Sequence, residues 1–254
     1  MSNTDKLKIW IVTINDPLHY CPLYYDLISK SHSGFQGILI LPGPMQGNIL
    51  SSIKEIVYRL RFFGWKAFIL TGMKYVWKKI RDDKSLKEIA ALKHIPYHLV
   101  KNIDEIEAVI KDKNPDLILS SVTSLVTKKN LEIAKLGWLN THCGILPNYK
   151  GIDAPFWSLY NEEKLIGSTI HIMNDVFDEG PIINQSVFIN ENLSYFKTVD
   201  KLFDANKTML LKFLENPIEQ IKRKKHQPVS TGIYFARPTV NDGKLFRSKI
   251  GKFI

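Results

Sequence analysis

Two kinds of hydrophobic pattern alternate along the chain. Short apolar runs rich in β-branched residues occur at Lys8 to Ile14 (KIWIVTI), Gly37 to Leu41 (GILIL), Tyr97 to Val100, Asp116 to Ser121 (DLILSS), Ser168 to Met173 and Ile182 to Ile189. Such runs, bounded by turn residues such as Pro42-Gly43-Pro44, predict buried strands. Between them, apolar residues recur every three or four positions, which predicts helices. The predicted helices cover 22–30, the stripe Ile53, Ile56, Val57 and Leu60, the stretch Leu86 to Leu92 before Pro96, and Ile103 to Ile110 closed by Asn114-Pro115. A longer stripe, Val199, Leu202, Phe203, Asn206, Leu210 and Phe213, precedes Pro217. Strands alternating with helices predict an α/β fold, a mostly parallel sheet with helices on both faces. Ligands in such sheets bind beyond the carboxyl ends of strands, where Ser121 to Val126 and Asn140 to His142 both fall.

One segment fits this scheme poorly. Residues 62–80 (FFGWKAFILTGMKYVWKKI) interleave aromatic residues with lysines. A helix of this kind can pack as core, lie on a membrane interface or line a nucleic-acid groove; aromatic stripes more often belong to a core. Charge sharpens the question. The 254 residues carry a net +10, and residues 54–81 hold eight Lys or Arg against Glu55. Residues 222–254 hold nine against Asp242, which leaves the remainder acidic. The basicity therefore sits in two blocks, either a solvated surface or an attractor for phosphorylated substrates, RNA or an anionic membrane.

Composition narrows the classes. At 44% hydrophobic the chain can bury a sizeable core. No run of eighteen apolar residues and no signal-peptide pattern occurs, and the two cysteines, Cys21 and Cys143, form neither a disulfide framework nor a metal motif. A cytoplasmic setting is expected. The first strand is followed by Asn15-Asp16-Pro17-Leu18-His19-Tyr20, without the glycines of a dinucleotide site. Asn15, Asp16 and His19 read there as turn and cap residues, with a substrate pocket as the alternative. No HxxxH, HExxH or Cys/His ligand set appears, so no metal is predicted.

The candidate chemistry lies in Trp138 to Pro181. Alternate residues of a strand share a face, so Asn140 and His142 project together. An amide can hold a developing oxyanion while an imidazole handles a proton. Asp178, ahead of Glu179-Gly180-Pro181, is the carboxylate that completes the set, with Asp175 as its competitor. Cys143 beside His142 suggests a Cys–His hydrolase, but neighbours in a strand face opposite ways, so Cys143 reads as packing and the lone strand histidine His171 as structural.

These motifs resemble the catalytic region of the folate-dependent formyltransferases. The matching elements are Asn140-Thr141-His142, Ile145-Leu146-Pro147, Tyr149-Lys150-Gly151 and Asp178-Glu179-Gly180, with 38 residues from Asn140 to Asp178. One position departs: the family usually carries Ser two residues after the histidine, and this chain has Gly144. The resemblance implies a formyltransferase fold, Rossmann-like, with a catalytic domain over 1–216 and a small C-terminal extension over 217–254. It also implies 10-formyltetrahydrofolate as co-substrate. The pterin would sit between one loop, Thr123, Ser124, Leu125 and Val126, and a second that includes Asn174 and Asp175. Asn140, His142 and Asp178 would catalyse transfer of the formyl group to an amine.

Family length patterns favour a nucleotide-linked amino sugar as the amine. Methionyl-tRNA formyltransferases carry a C-terminal β-barrel, formyltetrahydrofolate hydrolases an N-terminal regulatory domain, and glycinamide ribonucleotide enzymes a glycine-rich first loop. The alternatives are a methionyl-tRNA formyltransferase-like enzyme, or a non-catalytic relative that binds RNA or a membrane through 54–81. A homodimer is also open.

Overall fold

The computed structural model describes residues 7–31, 34–43, 49–81, 84–122, 125–228 and 231–254. The first half runs β1 (Ile9–Ile14), α1 (Tyr20–Lys30), β2 (Phe35–Leu41), α2 (Ile49–Phe63), α3 (Trp65–Arg81), α4 (Leu86–Leu92), β3 (Tyr97–Leu99), α5 (Glu105–Ile110), β4 (Leu117–Ser121) and α6 (Lys128–Leu131). The second half runs β5 (Trp138–His142), β6 (Tyr149–Gly151), α7 (Ala154–Tyr160), β7 (Leu165–Ile172), β8 (Ile182–Ile189), α8 (Tyr195–Glu215), α9 (Pro217–Lys222), β9 (Ile233–Phe235) and α10 (Val240–Leu245).

Seven strands form one sheet in the order β3-β2-β1-β4-β5-β7-β8. The first five run parallel, and β7 and β8 join as antiparallel neighbours. This is the expected mostly parallel, Rossmann-like sheet. The period of two explains how it is covered on both sides. In β1, Ile9 and Ile11 face a core formed with α1, α4 and α8, while Trp10 and Val12 face a second core with α5. The chain reverses its winding at β1, whose neighbours are β2 and β4, so the carboxyl ends of β1 and β4 open a crevice there.

A third core lies apart from the sheet. Phe62, Phe156, Leu159, Tyr195, Val199, Phe246 and Phe253 pack together, joining α2, α7, α8 and the chain end. The stretch 217–254, expected as a small extension, takes part in this packing. Its β9 pairs in parallel with β6, and Ala236 accepts a hydrogen bond from Trp157 Nε1. Asn241-Asp242-Gly243, a turn-like triplet by composition, lies in the interior of α10. Thr239 caps this helix reciprocally with Asp242, a capping box that satisfies two backbone donors and makes helix the better local solution.

The helices α2 and α3 meet at Gly64, whose positive φ of +80° suits glycine. Ile53, Ile56, Val57 and Leu60 do form a helical stripe as predicted, but it faces solvent. The aromatic-basic segment likewise keeps Trp65, Met73 and Trp77 exposed, contrary to the expectation that such stripes are core. The sides turned inward carry Phe62 and Ala67 together with Glu55, whose carboxylate accepts from Arg59 and, through both oxygens, from Arg237. Burial works against the Glu55 charge, and the two guanidinium groups outweigh it and hold its pKa below the ordinary value.

Candidate active site

β5 ends in Asn140-Thr141-His142, and the strand alternation separates these side chains. Thr141 turns toward α1, where its hydroxyl lies 3.3 Å from Ser121 Oγ, itself 2.8 Å from Tyr24 Oη. Asn140 and His142 turn to the other face. The antiparallel pairing of β5 with β7 sets Asn140 opposite His171 and His142 opposite Thr169, so that β7 delivers a second imidazole beside the amide.

Asp178 reaches this cluster from the β7–β8 connection. Its backbone is left-handed (φ +56°), a conformation aspartate tolerates better than most residues. Gln227 holds the loop by donating to the carbonyls of Asp178 and Gly180, each at 2.8 Å. Gly151 N–H donates to Asp178 Oδ2 at 2.7 Å. His142 Nδ1 lies 3.5 Å from Asp178 Oδ2, and His171 Nε2 lies 3.4 Å from Asp178 Oδ1. Asn140 Nδ2 lies 3.2 Å from His171 Nε2. Asn140, His142, His171 and Asp178, from three separate stretches, thus meet in one cluster.

Hydrogen-bond geometry assigns the protons. His142 Nε2 is 2.6 Å from the carbonyl of Tyr149, which can only accept, so Nε2 carries the proton. In the neutral ring Nδ1 is then a bare lone pair on the Asp178 side. His171 Nδ1 faces the carbonyl of Ile172 at 3.2 Å and donates to it, which leaves Nε2 free to accept from Asn140. Asn140 keeps a second amide hydrogen for another acceptor.

Burial lowers the His142 pKa below its ordinary 6.5, against the opposing pull of Asp178 and the Tyr149 carbonyl. Burial works against the Asp178 charge too. Here His142, His171 and the Gly151 N–H outweigh it and bring the pKa down to about 2. Both shifts describe one neutral-pH state, an ionised carboxylate beside a neutral imidazole. The carboxylate therefore stays ionised well into acid.

A cleft of about 230 Å³ opens over this cluster. Asn140, His142, His171 and Asp178 line it, as do Leu125 and Asn174 from the two loops expected to hold a ligand. Val126 is instead packed in the core around Trp138, and Asp175 is exposed and does not line the cleft. Thr123 and Ser124 lie outside the described residues. Asn15, Asp16 and His19 do not line it either. Asp16 closes a turn onto Leu18 N–H, and His19 is held 3.3 Å from both Asp16 and Asp200. Burial disfavours the His19 charge, but the two carboxylates raise its pKa to about 9.

Several cleft residues carried no signal in the sequence. His171 reads as an isolated strand histidine until β7 is paired with β5. Tyr234 comes from β9, and Tyr195 from α8 sends its hydroxyl to within 3.4 Å of Asp153 Oδ1. Burial pushes the Asp153 pKa up. Cys143 lines the cleft but is no nucleophile. Burial lifts its thiol pKa to about 12, and Asn206 Nδ2 lies 3.4 Å from its sulfur. Among the described residues no group of three or more His, Cys, Asp or Glu could hold a metal.

The Gly144 departure has a steric reason in this arrangement. A Cβ there would sit 2.6 Å from His142 Nε2, 2.7 Å from the Ala154 Cβ and 2.9 Å from the Tyr149 carbonyl. Gly144→Ala therefore breaks the bond between His142 and Tyr149. It is expected to cost about 1–3 kcal/mol of stability and to lower any His142-dependent activity at least about tenfold, read by thermal melts and steady-state rates. Parent-like values in both would show that the backbone yields freely there.

Comparison with known proteins follows the same outline. The formyl transferase family model matches residues 78–214. The bifunctional polymyxin resistance protein ArnA of Wigglesworthia glossinidia brevipalpis is 34% identical over 141 residues, 52% of this chain and 21% of its own length. The methionyl-tRNA formyltransferase of Clostridioides difficile (strain 630) is 35% identical over 123 residues, 47% of this chain and 40% of its own. The chain thus spans less than half the length of these curated relatives. Among solved structures, the N-formyltransferase of Helicobacter canadensis matches 91% of this chain and 71% of its own at a TM-score of 0.57 and 20% identity. The phosphoribosylglycinamide formyltransferase of Anaplasma phagocytophilum matches 92% and 100% at a TM-score of 0.59 and 15% identity. At such identities the structures share the fold, and the family model, which spans more than half of the sequence, shows that the chain belongs to the formyl transferase family.

Proposed function

We propose that the chain transfers a formyl group from 10-formyltetrahydrofolate to a primary amine carried on a nucleotide-linked sugar. The observation that carries this reading is the convergence of Asn140, neutral His142 and ionised Asp178 on one cleft. The apolar walls Val122, Leu125, Val176 and Phe177 beside that polar cluster suit a flat heterocycle. The folate would supply the formyl carbon. The spare amide hydrogen of Asn140 is placed to stabilise negative charge developing on the formyl oxygen as the amine attacks. The attacking nitrogen then carries a surplus proton, and the bare Nδ1 of His142 is the acceptor for it. Asp178 offsets the resulting imidazolium charge, and His142 returns the proton to the departing nitrogen. The transfer leaves a formamide, with no covalent bond to the protein.

The sugar assignment draws on named neighbours. The Helicobacter canadensis enzyme is described in complex with folinic acid and dTDP-3-aminofucose. WlaRD, a sugar 3N-formyl transferase crystallised with dTDP and 5-N-formyl-THF, matches 91% of this chain at 17% identity. The sequence relatives favour a second reading, an initiator methionyl-tRNA substrate. Incubating the protein and 10-formyltetrahydrofolate with a panel of dTDP- and UDP-linked amino sugars, and separately with methionyl-tRNA, tests both. A mass gain of one formyl group on a sugar nucleotide supports the first, and gain on tRNA alone replaces it. Saturable folate-analogue binding with no transfer to either would leave the amine in another class, and absence of folate binding would end the proposal.

The proton assignment gives a pH dependence. kcat, which reports the substrate complex rather than the free amine, should fall as pH drops through the His142 pKa, and burial holds that pKa below 6.5. The acid limb is therefore expected below pH 6.5, with Asp178 contributing only in much stronger acid. A limb centred above 6.5 would contradict the role given to His142.

A further inference from the structure

The helices α2 and α3 carry a surface that the formyl-transfer chemistry does not use. On α2, Ile49, Ile53, Ile56 and Leu60 are all exposed, Ile49 by 81%. They recur at helical spacing, so they form one stripe. On α3, Trp65, Ile69, Met73, Val76 and Ile80 form a second, with Trp65 exposed by 63% and Ile80 by 78%. Amphipathic helices of a folded domain ordinarily turn such stripes inward, and contiguous exposed apolar surface on a monomer marks an interaction site.

The chemistry around the stripes selects the occupant. Eight Lys and Arg lie between positions 54 and 81 against a single acidic residue, Glu55. That carboxylate is buried and paired with Arg59 and Arg237, so it offers nothing at the surface. Asp82 and Asp83 follow in sequence, outside the described residues. At 100° per residue, Lys66 and Lys79 border the α3 stripe. The two tryptophans are flanked by cations: Lys66 lies 5.5 Å from the Trp65 ring, and Arg81 lies 4.7 Å from that of Trp77. An indole under a cationic head, on a stripe of aliphatic residues, suits the boundary between lipid headgroups and acyl chains. The long basic side chains can lay their stems on apolar surface and present their charge to phosphate.

We infer that the α2–α3 face is a peripheral docking surface for an anionic lipid bilayer. Two other occupants fit less well. In a symmetric dimer the same patch faces itself, which would bring two strongly cationic surfaces together. RNA stacks on aromatic rings, whereas most of this surface is Ile, Leu, Val and Met. An anionic bilayer answers the charge and the aliphatic stripes at once.

Sedimentation of the full chain with phosphatidylcholine vesicles, with and without phosphatidylglycerol, tests the inference. The protein is expected to pellet with the anionic vesicles and stay in solution with the neutral ones, and added salt should weaken the binding. Ile69→Ser with Met73→Ser, and separately Lys66→Glu with Lys79→Glu, should each weaken it at least about tenfold. Because these side chains are exposed, thermal melting of the variants should stay close to the parent, which separates lost docking from lost folding. A folded parent that ignores anionic vesicles at low salt overturns the inference. So does a stable dimer in sedimentation equilibrium that Ile69→Ser with Met73→Ser dissociates, since the occupant would then be a second copy. Binding of an RNA oligonucleotide by a protein that leaves vesicles unbound overturns it as well.

Discussion

Asp178→Asn is expected to lower kcat/KM for formyl transfer at least about a hundredfold, the scale of a lost acid–base partner. The substitution is nearly isosteric. Asparagine tolerates the left-handed backbone at φ +56°, and its carbonyl oxygen can still accept from Gly151 N–H. What disappears is the negative charge 3.5 Å from His142 Nδ1. Without it, an imidazolium formed in a buried site has no counter-charge, and the proton transfer loses its stabilisation. Some stability should go too. The depressed Asp178 pKa marks a contribution that is present above the ordinary 3.8 and lost as pH falls through about 2. Circular dichroism at neutral pH should nonetheless show a folded variant. The competing carboxylate gives the control: Asp175 is exposed and away from the cleft, so Asp175→Asn should turn over near the parent rate. Equal losses in the two variants would point to a loop effect and remove Asp178 from the chemistry.

Phe156→Ala is expected to destabilise the fold by about 3–5 kcal/mol, the range for deleting a fully buried phenyl ring. Phe156 is wholly buried, with ring centroids of Phe62 at 5.1 Å and Phe246 at 5.3 Å and further contacts to Trp157, Tyr160, Tyr195 and Phe253. A cavity there loosens three elements together, because Phe62 belongs to α2, Tyr195 to α8 and Phe253 to the chain end. Denaturant unfolding measures the cost. It also reports on how residues 217–254 are joined to the rest. If that stretch were an independent appendage, Phe246→Ala and Phe253→Ala would leave the main transition nearly unmoved, a loss below about 1 kcal/mol. The full cost in these variants would instead show that Phe246 and Phe253 are part of the same cooperative unit.

Much of this was legible in the sequence because it depends on neighbours along the chain. Strand period set the two faces of β1, and helical period located α1, α2, α4, α5 and α8 to within a few residues. The same period placed Asn140 and His142 side by side, since the side chains two apart in a strand must share a face. The family resemblance supplied the link from there to Asp178. The capping box of α10 was also written locally, in Thr239 and Asp242, although Asn241-Asp242-Gly243 reads as a turn when taken by itself.

Tertiary structure decided the rest, because it turns on register and direction rather than on period. His171 joins the site only because β7 lies antiparallel to β5 with His171 opposite Asn140; a shift of one residue would send its ring to the other face. Gln227 and Tyr234 arrive from a return of the chain that no local pattern encodes. The outward stripes of α2 and α3 make the same point. Spacing fixes that a helix has an apolar face, but which way that face turns depends on what else fills the space beside it. Here the inner side is taken up by the aromatic cluster around Phe62 and by the ion pair of Glu55 with Arg237, and the hydrophobic stripes are left to the solvent.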